Sequence, residues 1–196
     1  MNEDLIQQQI EIFRAGLNEN QEDIDQFINQ TRSFPLSSIP ILIGVYNSSD
    51  ETNIKILAIA SMICALKTSS SESYAETHKE LANNPEISSG IKDMSGKSIK
   101  SENIIIRNFT STLLSLLISI EREDSKEFVE FLVEKIQNKA FIDDVLANII
   151  DIFSETMKSR YFSKFKNSFH DNFNVIFSIC IINIIPSYRD LSYNLV

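Results

Sequence analysis

Tryptophan is absent from the 196 residues, and glycine, proline, cysteine and histidine are scarce, at four, four, two and two. So few glycines and prolines cannot punctuate an all-β or α/β chain, where turns are frequent. The histidines, His78 and His170, stand far apart in polar stretches. Neither has local partners for acid–base or metal chemistry, so both read as solvated surface residues. The cysteines, Cys64 and Cys180, lie in apolar runs without the CxxC or Cys/His spacing of a zinc site, and read as buried thiols. Cations are also short: 18 Lys+Arg against 27 Asp+Glu give a net charge of -9. That balance disfavours a nucleic-acid partner, whose phosphates require Lys and Arg, and favours a basic partner or simple solubility. Met1 to Gln9 is polar and acidic, unlike a secretory signal, so the three Asn-X-Ser/Thr triplets at Asn29, Asn47 and Asn108 read as chance. The longest apolar run, Val175 to Pro186, falls short of the roughly 20 residues that cross a bilayer. The expectation is a soluble cytosolic or nuclear protein with no membrane insertion.

What is present is helical. Hydrophobic residues make up 43% and charged residues 23%, values of a globular chain that needs no disulfide or metal staple. A first helix is expected from Glu3 to Arg14, ended by Gly16. A second begins near Asn20 and is closed at Phe34-Pro35. A third spans Leu36 to Tyr46, with Pro40 near its start. After the polar break Asn47-Ser48-Ser49-Asp50, in which Ser49 or Asp50 is the expected cap, a fourth runs from about Glu51 to Lys67. The fourth is apolar nearly all round, so it must be covered on several sides. A polar region at 68–101 follows, with short helices at Ser71–Asn83 and Glu86–Met94 and a mobile loop at Ser95–Ser101. Helical periodicity returns at Glu102–Ile120, Ser125–Gln137, Ala140–Lys158 and Tyr161–Ile185. Helix pairs recurring about every 35 to 50 residues suit stacked repeats. The predicted fold is all-α: one α-solenoid segment over 1–196 of about four to five HEAT-like antiparallel helix pairs.

Little in this pattern carries catalytic chemistry. Gly90 to Ser98 approaches a phosphate-binding loop, but five residues separate Gly90 from Gly96 where four are required, and no strand precedes. It reads as a flexible loop. The acids Asp143-Asp144 and Glu121, Glu123 and Asp124 read as solvated turns. The aromatics Tyr161, Phe162, Phe165, Phe169, Phe173 and Phe177 read as core or a partner groove. Lys158, Arg160, Lys164 and Lys166 form a basic patch for a neighbouring helix or a partner. No cofactor, metal or enzyme activity is expected.

The order of elements is similar to a known family. Asp23-Ile24-Asp25-Gln26-Phe27-Ile28, then Phe34-Pro35-Leu36, the helix carrying Ile39, Ile41, Leu42 and Val45, the turn Ser48-Ser49-Asp50 and the run Asn53-Ile54 to Ala58-Ile59-Ala60 resemble the N-terminal repeats of the importin-β/exportin (karyopherin) superfamily. Arg107-Asn108-Phe109 through Leu116-Leu117 is similar to the helix after the variable loop in its transportin/exportin-like branch. The tryptophan usual after that loop in the family is missing here, and karyopherins are several times longer. The resemblance implies a nuclear transport receptor's N-terminal region, or a shortened relative. Such a region binds the small GTPase Ran in its GTP form, with cargo and FG-repeat nucleoporins as further partners, between cytoplasm, nuclear pore and nucleus. On the residues that match, Asp23, Asp25, Asn53, Lys55, Asn103 and Arg107 are the implied partner contacts. Two other readings stand beside it: a HEAT/armadillo-like adaptor unrelated to Ran, and a compact helical-bundle interaction protein.

Overall fold

The computed structural model describes residues 3–18, 36–67 and 71–121. These residues belong to one compact unit ending at Glu121. The expected second helix, every helix beyond Glu121, Cys180, His170, the aromatic cluster and the Lys158–Lys166 patch lie outside the described residues. Six α-helices and one short 3-10 turn form, and no strand occurs among the described residues. The helices are α1 (Glu3–Asn18), α2 (Ile39–Ser48, preceded by the turn Leu36–Ser38), α3 (Thr52–Leu66), α4 (Ser71–Asn83), α5 (Pro85–Ser98) and α6 (Ile104–Glu121). The all-α expectation holds for this region.

α1 is amphipathic, burying Ile6, Ile10 and Phe13 at helical spacing. It continues through Gly16 to Asn18 instead of stopping at Gly16. Glycine permits a left-handed helix end but does not impose one. α2 places a proline in its first turn, where a missing N–H costs nothing. At the start of α3 the cap position is occupied by Glu51, with extended backbone and no side-chain cap bond, rather than by Ser49 or Asp50. Ser49 acts one step earlier: its Oγ accepts from the backbone N–H of Glu51 at 3.1 Å and tightens the turn.

α3 is the centre. It packs against α2, α6 and α1, the several-sided cover that its composition demands. Ile54, Ala58, Ile59, Met62 and Leu66 have no solvent exposure, and each large aliphatic side chain among them contributes about 1.5–3 kcal/mol by leaving water. α1 packs on α2, α2 on α5, and α3 on α6, while α2 pairs with α3 and α5 with α6. α4 lies against α5 and α6.

The polar region differs from expectation. α4 forms at Ser71–Asn83 as predicted, but α5 runs from Pro85 through Ser98, into the stretch expected to be a loop. The reason is burial: Ser95, Ser98 and Ile99 are all shielded. Ser98 satisfies its hydroxyl within the helix, 3.1 Å from the Met94 carbonyl. Gly90 is a point of close approach between α5 and α2. A Cβ there would stand 3.0 Å from Ile43 Cδ1, whereas one on Gly96 would meet nothing within 4 Å.

α6 is the one helix among the described residues long and apolar enough to cross a membrane, yet most of it is buried against its neighbours. Its hydroxyls bond back along the helix. Thr110 reaches the Ile106 carbonyl at 2.7 Å, Ser111 the Arg107 carbonyl at 3.1 Å and Ser119 the Ser115 carbonyl at 2.7 Å. Buried polar groups are thereby satisfied without leaving the element.

The two glycines of α5 give opposite expectations. Gly96→Ala raises unfolding stability by about 0.5–1 kcal/mol, the helix-propensity gain at an unobstructed site. Gly90→Leu lowers it by about 1–3 kcal/mol through overpacking against α2. Urea unfolding followed by circular dichroism measures both, and a stabilised Gly90→Leu would contradict the close α2–α5 contact.

Candidate partner-binding surface

Asp23 and Asp25 lie outside the described residues. The other four candidate contacts fall on the first turns of two helices. Asn53 is exposed near the start of α3, with its side chain in solvent. Lys55, two residues on, is half-buried, and its Nζ lies 5.5 Å from the centroid of the Tyr46 ring. That cation–π contact holds the ammonium over α2 with about 0.5–1 kcal/mol.

Asn103 and Arg107 are engaged inside the fold. Asn103 Oδ1 accepts from the backbone N–H groups of Ile105 at 2.9 Å and Ile106 at 3.2 Å, which makes it the N-cap of α6. Arg107 donates through Nη1 to the carbonyl oxygens of Ser101 at 2.8 Å and Glu102 at 3.1 Å. It ties the α5–α6 turn to the helix that follows. Both residues therefore have structural work that helix spacing did not reveal. An Asn one position before an apolar run was the available signal for the cap.

Sequence reasoning missed a hydroxyl cluster joining α2, α5 and α6. Thr110 Oγ1 stands 3.0 Å from Ser98 Oγ, and both residues are buried. The Tyr46 hydroxyl hydrogen-bonds Ser98 as well. Burial pushes the Tyr46 phenol above its ordinary range, and the bond to Ser98 offsets this only in part. No local pattern could announce this cluster, because its members come from three helices.

Charges pair across the helices too. Arg14 on α1 donates to Glu11 and, through Nε at 3.0 Å, to Glu51 at the head of α3. These carboxylates hold the Arg14 guanidinium above its usual value, Glu51 contributing most. The pair is exposed, so it fixes geometry more than stability. Glu121, expected in a solvated acidic turn, is instead buried at the end of α6. Lys92 Nζ lies 2.8 Å from its Oε2 and donates to its Oε1 at 3.1 Å. The charge is compensated within the protein rather than by water.

Among the described residues, the other chemical candidates are placed as follows. Gly90 to Ser98 is helical, so its backbone N–H groups cannot converge on a phosphate as a P-loop's do. His78 is half-buried rather than fully solvated, because it shares the inward side of α4 with Thr77 and Leu81. Cys64 is half-buried and unpaired, less enclosed than expected. No group of three metal-ligating side chains occurs among the described residues. A surface depression of about 360 Å³ is lined by Glu76, Thr77, Lys79, Glu80 and Asn83, all from α4. Groups presented by one helix do not converge on a reacting atom.

In comparisons with known proteins, no family model, no curated protein and no solved structure matches the chain.

Two substitutions test these assignments. Asn103→Ala costs about 1 kcal/mol of stability, and Asn103→Asp, which retains a capping oxygen, restores most of it; equal losses in denaturant titrations would remove the cap. For Tyr46, the folded state keeps the phenol protonated to higher pH than the unfolded state does. Its contribution is therefore complete below the unfolded value of about 10 and falls as pH rises above it. Stability measured from pH 8 to 11 declines less steeply in Tyr46→Phe than in the parent chain, and parallel declines would show that Tyr46 does not titrate abnormally.

Proposed function

We propose that the chain is a non-catalytic helical scaffold that holds a protein partner, arranged as stacked HEAT-like helix pairs, and that this partner is Ran in its GTP form. The observation that carries the scaffold reading is the way the pairs meet. α2 with α3 and α5 with α6 act as two hairpins, the first helix of one packs on the first of the next, and the second packs on the second. α1 on α2 extends the same row. Stacked repeats bury their faces in this like-on-like manner, each pair against its neighbour. α4 is then an insertion between the two hairpins, in the polar region where the resemblance places a variable loop.

The choice of Ran rests on the karyopherin resemblance and on the acidic balance of -9, which suits a basic partner surface. Within the resemblance-derived contacts, Asn53 and the two acids Asp23 and Asp25 carry the proposal. Lys55, Asn103 and Arg107 serve mainly to position helices. Cargo and FG-repeat nucleoporins follow as partners only if Ran binds, and so does residence at the nuclear pore.

The test is binding of the purified chain to Ran loaded with a GTP analogue, with Ran-GDP as control, at two salt concentrations. The reading expects GTP-selective binding that weakens with salt, and a further loss on Asp23→Lys with Asp25→Lys. Binding to neither form, or equal binding to both, overturns the Ran assignment and leaves a HEAT-like adaptor for another partner.

A further inference from the structure

We draw no further inference here: the strongest candidate, the exposed Ile104–Ile105 pair at the start of α6, carries nothing, because nothing in the structure shows what covers this apolar patch.

Discussion

The described unit depends on covering α3. Its fifteen residues, Thr52 to Leu66, contain a single charged side chain, Lys55, and apolar or small groups on every side. Such a helix cannot rest on a surface with one face in water. It requires α2 on one side, α6 on another and α1 over the remainder, and these contacts fix the positions of three other helices. α5 follows because it must reach both α2 and α6, and the absence of a side chain at Gly90 lets it approach α2 closely.

The hydroxyls that find partners inside this packing do so in two ways. On α6 the serines and threonines return their hydroxyls to carbonyls of the preceding turn, so a helix with many hydroxyls is buried with little penalty. At the junction of α2, α5 and α6, Tyr46, Ser98 and Thr110 also meet across elements, in addition to the bonds Ser98 and Thr110 make within their own helices. The first device is local and leaves the helix free to pack anywhere. The second favours one arrangement of three helices, since a helix that slides loses the cross-helix contact and keeps only the intrahelical bonds of Ser98 and Thr110. The pair of half-buried Lys92 and buried Glu121 adds a further link between α5 and α6.

This division separates scaffold from surface. Arg107 and Asn103 hold the α5–α6 turn, Lys55 leans on Tyr46, and Arg14 bridges α1 to Glu51. Lys55, Asn103 and Arg107, which looked available for a partner in the linear sequence, are thus partly consumed in setting the spacing of the helices. Asn53 keeps its side chain in solvent.

The sequence alone determined the helical class and the places of most described helices, because apolar periodicity and the shortage of turn residues are local properties. Thr52–Leu66 and Ser71–Asn83 were legible to within a residue or two for that reason. It also marked α3 as a helix needing cover on several sides. Tertiary structure decided the rest. Ser95 to Ser98 became helix because burial outweighed a loop-like composition, and Glu121 left the solvent because Lys92 stood within reach. Gly90 served helix packing rather than a turn, and the Tyr46 cluster formed from residues more than fifty positions apart along the chain at its widest. Periodicity records which side of a helix is apolar; it holds no information about which neighbour that side will meet, and the hydroxyl and ion pairs follow from the neighbour.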